Sequence, residues 1–165
     1  MIVNGSHLLY RAPIKDMITE KHREHGVSFG LSEAGYDIRI KQDIVFGNSW
    51  NGGGVWVDGI HTATDNFTLA SAIEEFQMPS NLVGIVHDKS TWARKGLSVF
   101  NTVIEPGWCG FLTLELVYHG RERLHIPAGA GIAQVIFHET IERASYDGKY
   151  QNQPDRPVEG IMSGK

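Results

Sequence analysis

The residues of this chain best suited to chemistry fall in two neighbouring segments, Ser90-Thr-Trp-Ala-Arg-Lys-Gly-Leu97 and Asn101-Thr-Val-Ile-Glu-Pro-Gly-Trp-Cys-Gly-Phe-Leu-Thr-Leu-Glu115. The first offers hydroxyls, backbone amides and a fixed cation. The second ends on a strand-like run carrying one carboxylate, Glu115. Together they look like a loop that grips an anion and a general acid/base facing it. In Phe111–Val117 a period of two puts Leu112, Leu114 and Leu116 on one face and Thr113, Glu115 and Val117 on the other. On this pattern alone Glu115 faces solvent, the ordinary fate of a polar residue on a half-buried antiparallel strand. A catalytic role needs support from elsewhere in the chain.

The run Leu82–Val86 reads as a buried strand that delivers the chain to His87-Asp-Lys-Ser90. Thr91–Lys95 then reads as a short helix with Ser90 as its N-cap, which would aim free amides and a positive dipole end at an anion. Lys89 and Arg94 add charge, although an Arg on a short helix is often just a solvated surface residue. Glu105-Pro-Gly-Trp108 is a tight turn, with Pro106 setting φ and Gly107 permitting a positive one. Trp108 beside it could stack on a base or sugar, or simply fill the core.

A chain of 165 residues is long enough for one domain with a sizeable core. A net charge of −4 and a pI near 6.0 argue against a nucleic-acid backbone as partner, while leaving small anionic ligands open. Cys109 is the single cysteine, which excludes an intramolecular disulfide, a multi-cysteine zinc site and the zinc-dependent nucleobase deaminase signature. There is no apolar run of membrane-spanning length. The N-terminus, interrupted by Asn4, Ser6 and His7, lacks a signal-peptide core, so a soluble cytoplasmic protein is expected, with no membrane partner. Nineteen glycines among scattered turn signals favour strands and turns over a helical bundle.

Two short helices are expected near the N-terminus, one entered through Ser6 and one over Ile14–Glu20 after Pro13. His22 and His25 would share a helical face, but no third ligand at metal-binding spacing accompanies them. Ala34-Gly35 turns into a strand through Ile38 and Ile40, with Asp37 and Arg39 opposite and free to pair with each other or with the next strand. Gly47–Gly54 reads as a hairpin connection without the Lys-Ser/Thr of a phosphate-binding loop. Further strands are expected at Val55–Val57, Phe67–Phe76, Leu124–Ile126 and Ile132–Phe137, the last with Ile132, Gln134 and Ile136 on one face. Residues 146–153, followed by Pro154 and Pro157, are polar and aperiodic and on their own read as a disordered terminus.

Four pieces, in order, resemble the dCTP deaminase family of the dUTPase-like superfamily. They are Gly30-Leu-Ser-Glu-Ala-Gly-Tyr-Asp-Ile-Arg39, Lys89–Leu97, Ile104–Gly110 with Leu114-Glu115, and Gly148-Lys-Tyr-Gln-Asn-Gln153. The resemblance implies a mainly β fold, a dUTPase-like distorted β-barrel or jelly roll with short N-terminal helices, assembled as a homotrimer with active sites at subunit interfaces. It implies one domain over residues 1–165, with 146–165 as a lid, and hydrolysis of dCTP to dUTP and ammonia. By the same resemblance Glu115 is the proton shuttle and Ser90 and Arg94 complete the reacting centre. Lys89, Ser90, Thr91, Trp92, Ala93 and Arg94 form the triphosphate loop, and Mg²⁺ binds through the phosphates with no zinc and no protein metal site. Glu105 meets the deoxyribose hydroxyl, Trp108, Thr113 and Leu114 line the substrate site, and Tyr146, Lys149 and Gln153 fold over the nucleotide.

The chemistry is coherent with those residues. One carboxyl group can deprotonate the water that attacks ring carbon 4 and then protonate the ring nitrogen and the leaving amine, if partial burial raises its pKa. The chain departs from the family at Glu105, where many members have Asp, at Asn101-Thr-Val103, where some bacterial members carry His and Arg, and at Thr91 and Trp92, which replace smaller or aliphatic residues. Glu105 and Trp108 stand where a dUTPase has Asp and Tyr, and the Gly/Ser-rich C-terminal motif of dUTPases is missing. A bifunctional dUMP-forming enzyme stays open. A non-catalytic nucleotide-binding trimer would have no use for Ser90, Arg94 and Glu115 together.

Overall fold

A computed structural model describes residues 1–47 and 53–162. The expected hairpin connection at Gly47–Gly54 therefore lies largely outside the described residues. The chain is mainly β. It opens with β1 (Ile2–Val3), α1 (Gly5–Arg11), β2 (Lys21–Glu24), β3 (Val27–Leu31), β4 (Tyr36–Arg39) and β5 (Ile44–Phe46). Then come β6 (Val55–Val57), β7 (Ile60–Ala63), β8 (Phe67–Gln77), β9 (Leu82–Asp88), α2 (Ser90–Ala93) and β10 (Leu97–Val99). β11 (Val103–Ile104), β12 (Cys109–Tyr118), β13 (Leu124–Ile126) and β14 (Gly131–Glu139) complete it.

These strands form three sheets, ordered β11-β9-β14-β4-β3-β2 with β1 added on β14, β10-β12-β8, and β13-β5-β6-β7. The sheets are open, which corrects the barrel expectation: no described strand closes a sheet on itself. The alternation expected of β14 holds from Ala133 onward, with Ala133, Val135 and Phe137 fully buried and Gln134 and Ile136 half-buried, while Ile132, beside a register shift, is buried as well. One cluster of buried side chains, including Ile38, Phe46, Phe76, Leu116 and Ile132, joins the sheets. Burying each such aliphatic or aromatic side chain is worth about 1.5–3 kcal/mol, so these residues, rather than the charged ones, set how the sheets stack.

Only one of the two N-terminal helices forms. α1 is capped by Asn4 rather than Ser6, and it stops where Ala12 turns left-handed at φ 45°. Beyond Pro13 the chain gives its hydrogen bonds to β8 instead of to itself: Lys15 N–H donates to Glu75 O (2.9 Å) and Gln77 N–H to Pro13 O (2.8 Å). Helix propensity over Ile14–Glu20 loses to a strand edge with free partners. His22 lies on β2 and stacks on Phe29 at 5.8 Å, so it shares no helical face with His25.

The central pair for function is β8 with β12, in which Glu115 lies opposite Leu69 and Thr113 opposite Ser71. Polar groups buried along β8 are matched. Ser71 N–H donates to Gln42 Oε1 (2.8 Å), and both carboxylate oxygens of Glu74 accept from Arg39, one from its backbone N–H and one from Nε, each at 2.9 Å. Arg39 and Asp37 thus pair with other strands and not with each other. Burial pushes the Glu74 carboxyl up, and the Arg39 bonds pull against it.

Candidate active site

Glu115 projects from the middle of β12 into a cleft of about 1080 Å³. One wall comes from β6 to β8, through Val57, Thr62, Phe67 and Leu69; the floor comes from Leu112, Thr113 and Glu115; and the other wall comes from Glu105, Trp108, Tyr146 and Gln153. Strict alternation puts Leu112 on the opposite face, yet it lines the cleft too, beside a register shift between Phe111 and Thr113. Such irregularities re-aim side chains next to functional clefts.

The face carrying Glu115 is not open to solvent. Glu115 is half-buried, and its Oε2 is buried with no hydrogen-bond partner among the described residues. Desolvation pushes its carboxyl pKa above the ordinary value of 4.5, opposed only by a backbone hydrogen bond. A buried polar atom without a partner costs stability and calls for an explanation. Glu74 is also desolvated, but it is saturated with hydrogen bonds and lines no cleft. Of the two carboxyls, only Glu115 has an oxygen left for a ligand.

The cover over this face is the C-terminal segment, which corrects the reading of residues 146–153 as disordered. Tyr146 N–H donates to Pro106 O (2.8 Å), Asn152 N–H to Cys109 O (3.0 Å) and Phe111 N–H to Gln153 O (3.2 Å). Val158 N–H donates to Thr113 Oγ1 (3.0 Å) and Trp108 Nε1 to Tyr150 O (2.6 Å). Gly110, at φ 130°, permits this approach: a Cβ there would stand 2.5 Å from the Gln153 nitrogen. The turn behaves as its residues predict, with Gly107 at φ 76° and Trp108 N–H donating to Glu105 O (3.1 Å). Trp108 is only 6% exposed, so it is both core and cleft wall. Sequence reasoning missed the β7–β8 wall and the Arg156–Gly160 rim. Their only signals were the strand-like run from Phe67 and the prolines that stiffen the tail.

The expected phosphate loop is elsewhere. α2 is one turn long, Lys89 and not Ser90 is its N-cap, and Ser90 lies inside it. A single turn has little dipole to offer. What it offers is display: Ser90, Thr91, Ala93, Arg94 and Lys95 are exposed, while Trp92 is buried with Nε1 donating to Gly131 O (2.7 Å). Lys89 is mostly buried against Asp37 and Ser28. None of these residues lines the cleft, nor do Leu114 and Lys149. Leu97, just after α2, pairs with Tyr118, so the loop sits past the end of β12, three residues beyond Glu115 and roughly 10 Å along the strand. Lys149 donates to Ile161 O and lies 5.1 Å from the Tyr150 ring centre. The structure thus unites Glu105, Trp108, Thr113, Glu115, Tyr146 and Gln153, and leaves the cations of the loop outside.

Among the described residues no cluster of three His, Cys, Asp or Glu has metal-binding geometry, and no helix is long and apolar enough to cross a membrane.

Comparison with known proteins identifies the family and the fold. Residues 55–140 match the dCTP deaminase-like family model. The chain is 36% identical over 161 residues to a dCTP deaminase of Roseiflexus castenholzii, covering 85% of this chain and 86% of that one. It is 35% identical over 162 residues to a dCTP deaminase of Chlamydia trachomatis serovar L2, covering 86% and 85%. In fold it is similar to the EIAV dUTPase, with a TM-score of 0.52 and 20% identity over 79% of this chain and 93% of that one. It is also similar to the 2′-deoxycytidine 5′-triphosphate deaminase of Agrobacterium tumefaciens, with a TM-score of 0.54 and 13% identity over 84% and 48%. The family match at residues 55–140 and the two relatives identical at 35–36% over most of both chains place this chain in the dCTP deaminase family.

Proposed function

We propose that the protein hydrolyses the exocyclic amine of dCTP, giving dUTP and ammonia, with Glu115 as proton shuttle. The observation that carries this reading is the buried, unpartnered Oε2 of Glu115 at the floor of the cleft. As a carboxylate, Glu115 takes a proton from the water that attacks ring carbon 4. It passes that proton to the ring nitrogen, then takes the proton of the new C4 hydroxyl and hands it to the amine, so that the carbonyl forms as the C–N bond breaks and ammonia departs. Desolvation raises its pKa above the ordinary carboxylate value, which makes the protonated form easier to reach in the second half of the reaction. The single cysteine denies the chain a His/Cys/Cys zinc set, so the reading is zinc-independent. Mg²⁺ accompanies the triphosphate, whose oxygens are the hard donors that ion prefers.

In one chain this is half a site. The cleft holds Glu105, Glu115 and Glu159 against Arg156 alone, too little positive charge for a triphosphate. Ser90 and Arg94 are exposed and point to use by a neighbouring copy, which supports a homotrimer with interfacial sites. Arg94 would then supply charge to the phosphates and Ser90 its hydroxyl to the reacting centre. Trp108 and Tyr146 offer aromatic faces to the base or sugar. Residues 146–162 act as the lid.

Glu105 lines the same cleft as Glu115, and this second carboxylate favours one further reading, in which dUTP is carried on to dUMP. Incubating the protein with dCTP and Mg²⁺ and separating dUTP, dUMP, ammonia and pyrophosphate distinguishes the two. Ammonia with dUTP supports deamination alone, dUMP with pyrophosphate supports the bifunctional reading, and no turnover overturns both.

A further inference from the structure

Three carboxylates, Glu105, Glu115 and Glu159, line the cleft, and the one cation that lines it among the described residues is Arg156. Arg156 lies outside every segment that carries the family resemblance. Its backbone is held on both sides. Before it, Gln153 O accepts from Phe111 N–H (3.2 Å), and the Asp155 carboxylate pairs with Lys41. After it, Val158 N–H donates to Thr113 Oγ1 (3.0 Å), beside Glu115 on the cleft floor. Arg156 N–H itself donates to Pro154 O (2.7 Å), and Pro154 and Pro157 each fix φ around it.

The side chain, by contrast, has little to do within the chain. A guanidinium carries five N–H donors. Among the described residues only its Nη1 meets an acceptor, Pro157 O at 3.5 Å, the outer limit of a hydrogen bond. No carboxylate pairs with it among those residues, although Glu159 lines the same cleft. Nor does it reach the floor: the Glu115 carboxyl responds to desolvation and to its own backbone, not to a cation. Arg156 is therefore exposed at the mouth, on a fixed backbone, with its charge unspent.

We propose that Arg156 is a ligand for the phosphates of the bound nucleotide, supplied by the same chain as Glu115 and approaching from the lid side, opposite the loop that a neighbouring copy brings. This rests on the reading that the cleft takes dCTP. A planar guanidinium matches phosphate oxygens two at a time, and charge-assisted bonds of that kind are the strong ones. Recruiting Arg156 abandons only a carbonyl that water can satisfy and leaves no buried charge behind. The carboxylates of the cleft repel a triphosphate, and a cation at its mouth offsets part of that repulsion.

The test compares R156Q and R156K with the wild-type chain, using dCTP with Mg²⁺ as substrate and inorganic tripolyphosphate as competitor. R156Q should raise KM for dCTP about 10- to 100-fold, the range of one or two charge-assisted hydrogen bonds, with kcat little changed. R156K, which keeps the charge and loses the fork, should fall between. The inhibition constant of tripolyphosphate should rise in R156Q by the same factor as KM, because that probe has phosphates and no base or sugar. An unchanged KM overturns the proposal, as does a wild-type chain that tripolyphosphate does not inhibit. A raised KM with an unchanged constant for tripolyphosphate assigns Arg156 to the base or sugar and overturns it too. Limited proteolysis separates binding from tail structure: R156Q should be cleaved after residue 145 no faster than wild type, and faster cleavage makes Arg156 a structural residue instead. If the wild-type chain turns over no dCTP, the proposed function fails on its own. Arg156 is then decided by the rise in Tm that tripolyphosphate gives the wild-type chain. Loss of that rise in R156Q supports an anion site, and an equal rise, or none in either, overturns it.

Discussion

Replacing Glu115 with Gln separates a catalytic carboxyl from a structural one, because the two roles give opposite signs in two assays. The substitution keeps size and removes the proton. Loss of a positioned proton-transfer group costs about 10²–10⁴ in kcat, or roughly 3–5 kcal/mol of barrier at about 1.4 kcal/mol per factor of ten. The change in stability runs the other way. An unsatisfied buried polar group costs about 1–3 kcal/mol. Since Glu115 is only half-buried, the lower end applies, and a neutral amide recovers up to about 1 kcal/mol. For a chain of this size that is a gain of about 2–4 °C in Tm.

The pH dependence fixes the assignment to this group. The folded-state pKa of Glu115 is raised above 4.5. Between that ordinary value and the raised one, the folded protein binds more protons than the unfolded one. Wild-type stability therefore falls as pH rises through this window. The amide of the E115Q variant does not titrate, so E115Q and wild type should melt together below pH 4.5 and diverge above it, with E115Q the more stable. Wild-type turnover should fall as pH drops through the raised value, where the carboxylate that activates water is lost. Ammonia release from dCTP and melting curves, each followed as a series in pH from below the ordinary carboxylate value upward, are the measurements. Turnover within tenfold of wild type, or a lower Tm at the upper end of that series, refutes the reasoning.

Gly110→Ala should undock the tail: its Cβ would stand 2.5 Å from the Gln153 nitrogen at a φ of 130°, a strain of about 1–3 kcal/mol. The result expected is a raised KM for dCTP and faster proteolysis after residue 145, with Tm changed little. Mixing E115Q with R94A after dissociation and reassembly should recover about a quarter of wild-type activity if each site takes one residue from each of two copies; no recovery places both in one chain. Arg39→Met strands the buried Glu74 carboxylate and should cost about 2–3 kcal/mol by chemical denaturation, below the full range for buried pairs because Arg39 is partly exposed. An unchanged midpoint would mean that Glu74 is protonated without Arg39.

Period-two alternation located Glu115 on the correct face of β12, and Glu105-Pro-Gly-Trp108 announced its own turn. Neither could reveal that the face is covered. The cover is made by Gln153 and Val158, about forty residues on, and it docks through backbone groups beside the bare α-carbons of Gly107 and Gly110. A contact of that kind leaves no hydrophobic period to read. The failed helix over Ile14–Glu20 has a similar origin, since its hydrogen bonds were claimed by Glu75 and Gln77, far away in sequence. Lys89 read as an added charge on an anion-binding loop because its partner Asp37 lies 52 residues away, and the burial of Trp92 in its short helix went unread because Gly131, its acceptor, lies far off in sequence on β14.

The two lysines that the family resemblance places near phosphate now separate on physical grounds. Lys149 is exposed and gives its ammonium to a neutral carbonyl, that of Ile161, within the tail itself. Exchanging that carbonyl for a phosphate oxygen strengthens the bond by making both partners charged, and leaves behind only a peptide oxygen that water can satisfy. Lys89 is tied to a carboxylate in the interior, and leaving it would abandon a buried charge. Lys149 can therefore exchange its partner for a phosphate, whereas Lys89 reaches one only with the ammonium proton it does not spend on Asp37 and Ser28. The same logic supports Glu115 as the proposed proton shuttle. A guanidinium beside Glu115 in the single chain would hold its carboxyl low, whereas the cleft as folded keeps Arg94 away and lets desolvation raise it. In the proposed two-copy site, a bound triphosphate would carry negative charge of its own to offset Arg94.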